Sequence, residues 1–436
     1  MFRPSAKGSF GRYERRPGER RPIRGVWQWY LSSRPSLYWK STMLEFAAPH
    51  TVGMSSDRLE QAKTAMQAFV DQGKTAGIAT LIAQFECFGM LDLAAKKPLQ
   101  RDSLYRIYSL TKPVTSIAAL MLYDEGLFDL DDPVARWIPE FENFRVLPTT
   151  TKAGNQLGPL MKEITIRHLL THTSGLGYGF FTEPVEAYYR DAQVLSPIIT
   201  LQKPLAEMVQ TLAGLPLIAQ PGTVWHYSLA HDVLGYLIAL ISGQPFDVFL
   251  CERVFEPLGM SDTSFYVPPD KLERFGPLYS APGENGLNVL DDVRISPFVR
   301  PDAVPSGGAG LVSSMPDYLR LMLLLANGGE LDGVRLLKTT TVAAMTTNQL
   351  TGPAYPVRFE NDPWAGMGYG LGVGVQVEDA LPDGMPPGVF GWIGASGTLA
   401  WIFPRDDLIV LAMQQAFFNG EASSVMRGIA YRAIAR

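Results

Sequence analysis

Tyr108-Ser109-Leu110-Thr111-Lys112-Pro113 is followed by Val114, Ile117, Ala118, Met121 and Leu122 at helical spacing, and the run stops at Gly126. The segment just before it, Leu104-Tyr105-Arg106-Ile107-Tyr108, reads as a strand, so the serine is predicted at a strand-to-helix transition. Pro113 falls in the first turn, where its missing N–H would be unpaired anyway. One helical turn puts positions i and i+3 on one face, so the Ser109 hydroxyl and the Lys112 amine can meet. A buried amine can lose its charge and then accept the hydroxyl's proton. Backbone N–H dipoles at the helix start would lie near any oxyanion formed there. Ser-x-x-Lys also arises by chance, about once or twice in a chain of this length at ordinary residue frequencies. The tetrapeptide acquires meaning only if the rest of the chain supplies partners.

Upstream, Leu59, Ala62, Met66, Phe69 and Val70 predict a helix capped near Ser55-Ser56-Asp57 and ended by Gly73, and 77–89 reads as one strand. Downstream the character changes. Pro133, Pro139, Pro148, Pro184, Pro197 and Pro204 interrupt short helical patterns, which predicts a mostly helical, loop-rich region. Pro305-Ser306-Gly307-Gly308-Ala309-Gly310 lacks the Gly-Lys-Ser/Thr of a phosphate cradle and reads as a close-packed turn. Ser314 and Asp317 then form a capping-box-like pair before another helix. The last third returns to strands at 368–376, 388–394, 398–403 and 408–413, the final three forming a meander, with a closing helix from Glu421. Strand-rich ends around a helical middle imply an α+β fold with an antiparallel sheet assembled from both ends and helices packed on it. The expected division is an α/β domain from 44–128 and 301–436, an inserted helical domain at 129–300, and a basic extension at 1–43.

Composition bounds the partners. Hydrophobic residues make up 46% and charged residues 19%, as in ordinary soluble globular proteins. No window of 18 apolar residues exists, so no membrane span is expected. Residues 1–43 carry ten Lys and Arg against two Asp and Glu, leaving 28 against 41 in the remainder. The acidic body argues against a nucleic-acid surface. The basic segment reads as a disordered tail; an artefactual extension before a start at Met43 or Met54, and a basic binding arm, are the alternatives. No export signal is recognisable, and two distant cysteines, Cys87 and Cys251, suit a cytoplasmic setting with free thiols.

Competing chemistries are weak. His168 and His172 stand four apart on a short helix, but no adjacent Glu and no third ligand are evident, so hydrogen bonding is the better account of them. Gly394-Ala395-Ser396-Gly397-Thr398 fails as a Gly-x-Ser-x-Gly elbow at its fifth place. The five histidines lie in three clusters without obvious serine and aspartate partners. Lysine and tyrosine are what remains to activate Ser109, and Tyr227 lies in Trp225-His226-Tyr227-Ser228, a loop at the mouth of a helix.

Ser109-Leu110-Thr111-Lys112, Tyr227-Ser228 and Gly391-Trp392-Ile393-Gly394 resemble, in order and spacing, the three motifs of the serine β-lactamase and penicillin-binding-protein superfamily. The wording around them is similar to that of the family VIII carboxylesterases, the esterase branch related to class C β-lactamases. Phrases that carry the likeness include Pro139-Glu140-Phe141, His172-Thr173-Ser174-Gly175-Leu176, the run from Tyr227 to Gly235, and Pro257-Leu258-Gly259-Met260. The likeness runs from about Ser55 to the C-terminus. It weakens at Ile82-Ala83-Gln84-Phe85, where relatives carry a hairpin and this chain has no turn residues.

The resemblance implies an active site between an α/β and a helical domain, with no cofactor and no metal. Ser109 would attack the ester carbonyl, and Lys112 and Tyr227 would share its proton, as a tyrosinate or as a neutral lysine. The oxyanion hole would use the backbone N–H groups of Ser109 and Ala395, Gly394 would permit close approach, and Trp392 would wall the site. Two departures favour esters: Trp392 stands where β-lactamases usually carry a lysine, and Leu229 where an asparagine is common. Tyr178, Phe180 and Phe181 are candidates for the acyl pocket. The expected activity is a carboxylesterase for short to medium acyl esters with at most weak β-lactam hydrolysis. An acyltransferase, a β-lactamase or peptidase, and a catalytically silent scaffold are the alternatives.

Overall fold

A computed structural model describes residues 49–434 apart from 83–84, 148–156, 285, 360–361 and 380–384, so the basic segment 1–43 lies outside the described residues. Helix α1 (Ser56–Asp71) starts where its pattern predicts, with the Ser55 hydroxyl accepting from the Arg58 N–H, and it buries Leu59, Ala62 and Met66. The stretch read as one strand is two: β1 (Gly77–Leu81) and β2 (Phe85–Asp92) pair antiparallel with Leu81 opposite Phe85. The two strands therefore form a hairpin although no Gly, Asn, Asp or Pro stands between them. Strands β3 (Lys97–Pro98) and β4 (Leu104–Arg106) follow. After them comes helix α2 (Thr111–Asp124), whose residues from Thr111 to Leu122 are all buried.

The middle of the chain supplies α3 (Ile166–Leu170), α4 (Glu186–Asp191), α5 (Leu205–Ala213) and α6 (Ala230–Ser242), with loops between them. Strand β5 (Val312–Ser314) pairs with β4 in a separate two-stranded sheet and feeds α7 (Met315–Ala326). Only half of the expected capping box forms there. Ser314 accepts from the Asp317 N–H, while the Asp317 carboxylate turns to the Asp262 N–H and the Thr263 hydroxyl.

The glycine-alternating stretch is a hairpin, β6 (Met367–Tyr369) with β7 (Gly374–Gln376), and the meander is β8 (Phe390–Ile393), β9 (Leu399–Phe403) and β10 (Leu408–Gln414). Helix α8 (Glu421–Arg432) closes the chain. The main sheet has eight strands in the order β6-β7-β8-β9-β10-β1-β2-β3, every neighbouring pair antiparallel. Its central strands β9 and β10 are buried at every residue, which explains their continuous apolar runs: both faces are covered. α1 and α8 pack on each other and on the sheet, and α7 packs on β9 and β10. The fold is α+β, an antiparallel sheet flanked by helices. Among the described residues no single helix is long and apolar enough to cross a membrane.

Candidate active site

Ser109 sits in a short 3-10 turn, Tyr108–Leu110, inserted between β4 and α2. The serine thus precedes the α-helix, and Lys112 is its second residue. Tyr108 takes a φ of +43°, a conformation a bulky residue adopts only when its surroundings enforce it. Those surroundings are the rings of Phe298 and Phe417, whose centroids lie 6.0 and 5.7 Å from that of Tyr108. This left-handed elbow turns the next side chain, Ser109, towards a cavity of about 520 Å³ that it helps to line.

Lys112 is fully buried, and its Nζ lies 3.1 Å from Ser109 Oγ, 2.8 Å from the Gly308 carbonyl oxygen and 3.5 Å from the Tyr178 hydroxyl. Nζ also stands 4.5 Å from the Tyr227 ring centroid. Burial brings its pKa down to about 7, with the Asp232 carboxylate opposing that shift. Tyr227 behaves in the opposite way. Burial pushes its phenol above the ordinary value, although hydrogen bonding with Ser109 and Trp392 pulls the other way. The Trp392 indole N–H donates to the Tyr227 oxygen at 3.1 Å.

The turn after β8 is locked to the backbone just before the nucleophile. The Ser396 hydroxyl donates to the Arg106 carbonyl at 2.6 Å, and Gly394 N–H donates to the Thr398 carbonyl at 2.8 Å. A Cβ on Gly394 would lie 2.4 Å from the Ile107 carbonyl oxygen, so glycine is required for this approach. Ala395, held through its carbonyl by the Phe418 N–H, lines the cavity beside Ser109. Beneath them Arg106 is fully buried, with its guanidinium on Asp291, Gln415 and the Gly276 carbonyl.

The cavity brings together Ser109, Tyr227, Trp392, Gly394, Ala395, Tyr178, Phe180 and Phe181, all expected from sequence, and Lys112 lies under its floor. Glu186, buried in α4, ties the aromatic loop in place. Its carboxylate accepts from the N–H groups of Tyr178 and Gly179 and from His226 Nε2 at 2.7 Å. The histidines do have partners, but not Ser109. His168 Nδ1 accepts from the Thr165 N–H as part of a helix cap. His172 meets Ser228, and His231 meets Ser116. Among the described residues no cluster of His, Cys, Asp or Glu could hold a metal ion.

The family model described as "Beta-lactamase" matches residues 60–433. The chain belongs to the beta-lactamase family. Protein Rv1367c of Mycobacterium tuberculosis is 37% identical over 372 residues, covering 82% of this chain and 90% of the relative. Esterase EstB of Burkholderia gladioli is 32% identical over 351 residues, 76% of this chain and 82% of that protein. Among solved structures, EstCE1, described as a hydrolase with promiscuous acyltransferase activity, superposes with a TM-score of 0.73 at 27% identity, covering 86% of this chain and 98% of that one.

The cavity is strongly aromatic. Phe359, Trp364 and Phe418 complete the wall, and sequence reading missed all three. The Phe359 and Trp364 rings pack 4.7 Å apart, and each meets Trp392. Nothing in their local sequence marks them, since Phe359 and Trp364 enter from one short hairpin and Phe418 from a loop, all remote from the motifs. A Cβ on Gly374 of β7 would lie 2.9 Å from the Trp392 ring, so this glycine makes room for the indole. Leu229, the other departure, is fully buried and donates its N–H to the Gly177 carbonyl at 3.1 Å, so its side chain packs rather than facing substrate.

Proposed function

We propose that this chain is a serine carboxylesterase of the family VIII type, hydrolysing short to medium acyl esters through an acyl-enzyme on Ser109. The observation that carries the reading is the setting of Lys112. A neutral amine has two N–H groups and one lone pair. The Gly308 carbonyl at 2.8 Å takes one N–H, the Tyr178 hydroxyl at 3.5 Å faces the second, and the lone pair is left for the Ser109 hydroxyl at 3.1 Å. Lys112 is then the general base and Tyr227 stays a phenol.

In acylation Ser109 Oγ bonds to the ester carbonyl carbon while its proton passes to Lys112 Nζ. The oxyanion is received by the Ser109 and Ala395 N–H groups. As the carbon–oxygen bond to the alcohol breaks, the leaving oxygen takes back the proton held on Lys112 Nζ, with the Tyr227 phenol donating a hydrogen bond beside it. The tyrosine oxygen already accepts from Trp392, so its own O–H is free to point at the reacting atoms. Water then repeats the sequence on the acyl-enzyme. Among the described residues, the side chains lining the cavity include Phe181, Phe359, Trp364 and Trp392 and no Lys or Arg, which suits neutral apolar acyl groups over substrates bearing a carboxylate.

A second reading, acyl transfer to an alcohol, is favoured by the likeness to EstCE1, a hydrolase described as having promiscuous acyltransferase activity. Intact-mass spectrometry after a fluorophosphonate probe tests the nucleophile. Wild type should gain one adduct and Ser109→Ala none, and persistent labelling of the variant would sink the assignment. Parallel assays on p-nitrophenyl butyrate and nitrocefin rank the activities, and a larger nitrocefin kcat/KM would reverse them. Product analysis with an added alcohol separates hydrolysis from transfer.

A further inference from the structure

Helices α2 and α6 face each other with the turn 305–310 wedged between them, and this turn joins Lys112 to a carboxylate that no step above has used. Gly308 is the bridge. Its carbonyl accepts from Lys112 Nζ at 2.8 Å, and its N–H donates to Asp232 Oδ1 at 3.1 Å. The Ser306 hydroxyl donates to the same carboxylate oxygen. One turn after Lys112, the Thr115 hydroxyl donates to the Gly307 carbonyl at 2.7 Å. The turn has no room for side chains. A Cβ on Gly307 would lie 2.3 Å from the His231 carbonyl oxygen, and one on Gly308 would lie 2.5 Å from Asp232 Oδ2.

Asp232 is almost fully buried in the first turn of α6, yet among the described residues it has no cation within salt-bridge distance. A buried carboxylate without an ion pair is costly and calls for compensation. Here two donors and the positive end of a 13-residue helix supply part of it. The rest comes from Lys112, and only when that amine is protonated.

We propose that Asp232 is the electrostatic partner of Lys112: a positioning residue, bridged through Gly308, that aims the base at Ser109 and balances the charge Lys112 gains when it takes the serine proton. The inference rests on reading Ser109 and Lys112 as nucleophile and base. The groups around Lys112 support it. The Ser109, Tyr178 and Tyr227 oxygens are neutral, and His172 and His231, buried against the same region, are held uncharged by burial first and by the lysine's own charge as well. Asp232 is the one carboxylate that acts on Lys112 among the described residues, and its charge also reaches Tyr178 and Tyr227. During acylation the Ser109 O–H bond breaks and a fourth bond forms on Lys112 Nζ. The resulting ammonium sits in a buried site, where the Asp232 carboxyl beyond Gly308, pushed up by burial but pulled back by Ser306, by Gly308 and by this lysine's own charge, favours it.

The test compares wild type and Asp232→Asn by fluorophosphonate labelling and by pH–rate profiles for p-nitrophenyl butyrate between pH 5 and 9. Asparagine keeps an acceptor for Gly308 and Ser306 but removes the charge. The acid limb should move down by about one pH unit, and the plateau should fall on the order of tenfold. A purely structural role would lower the melting temperature or the active fraction and leave the limb in place, which overturns the proposal. Ser306→Ala, which removes one donor but keeps the carboxylate, guards against a variant that does not fold. Because the charge stays and loses a donor, the limb should hold its wild-type position or rise, and a downward shift as large as that of Asp232→Asn counts equally against the idea. Labelling of the wild type at a residue other than Ser109 overturns the site reading and this inference together. Labelling at Ser109 with an unmoved Asp232→Asn limb overturns the inference alone.

Discussion

Lys112 and Phe418 stand at opposite ends of one cavity and are held by opposite means. Lys112 is fully buried on a helix whose first twelve residues are all buried, and a main-chain carbonyl fixes its amine at 2.8 Å. Phe418 is 63% exposed on a loop, with φ at +51°; its main chain holds the Ala395 carbonyl, while its ring meets those of Phe417 and Phe180. The floor of the site is polar, dry and set by hydrogen bonds, whereas the walls are apolar and set by ring packing between loops. A floor of this kind fixes the reaction, because proton transfer tolerates little displacement. Walls of this kind fix the range of substrates, and they can change without disturbing the chemistry.

The sharpest way to break that contrast is at the floor. Lys112→Met should lower kcat roughly 10³-fold for p-nitrophenyl butyrate, the scale of a lost general base. In the wild type, the rate should rise with pH through about 7, because the amine must lose its proton before it can accept one. That limb should vanish in the variant's residual activity. A loss under tenfold would move the base elsewhere, with Tyr227 the next candidate.

Glu186 tests whether the walls are as loosely held as they look. Its buried carboxylate anchors the loop bearing Tyr178, Phe180 and Phe181, so Glu186→Ala leaves two main-chain N–H groups and His226 without an acceptor. The expected loss is roughly 2–4 kcal/mol by urea unfolding, with KM rising several-fold more than kcat falls. Unchanged stability would mean that ring packing alone holds this loop. Trp392 joins wall to floor. Trp392→Phe keeps the ring but removes the hydrogen bond to Tyr227, worth about 1 kcal/mol or roughly fivefold in kcat. An effect confined to KM would make Trp392 wall and nothing more.

The same contrast explains what could be read in advance. Ser109 and Lys112 are three apart at a helix start, and backbone periodicity alone brings them together. The apolar runs of β9 and β10 likewise announce central strands. The hairpin of β1 and β2 was obscure because its turn carries no Gly, Asn or Asp signal. Phe359 and Trp364, from one short hairpin, and Phe418, from a loop after β10, reach the cavity only through the folded paths of two remote segments. Asp232 lay in plain view five residues after Tyr227 but became meaningful only when the turn at Gly308, 76 residues further on, was seen beside it.

Phe418 offers the smallest effect and the finest test of the wall. Its ring lies 6.3 Å from that of Phe180, and its N–H holds the Ala395 carbonyl, so main chain and side chain do separate work. Phe418→Ala keeps the main-chain bond and removes only the ring. Stability should change by less than about 0.5 kcal/mol, since the side chain is largely exposed. KM should rise about two- to threefold for a p-nitrophenyl octanoate and stay level for the acetate, because only the longer acyl group reaches the rim. Equal effects on both esters would mean the substitution has moved Ala395 and the floor with it. No effect on either would confine the wall to Tyr178, Phe181, Phe359, Trp364 and Trp392, deeper in the cavity than the rim formed by Phe180 and Phe418.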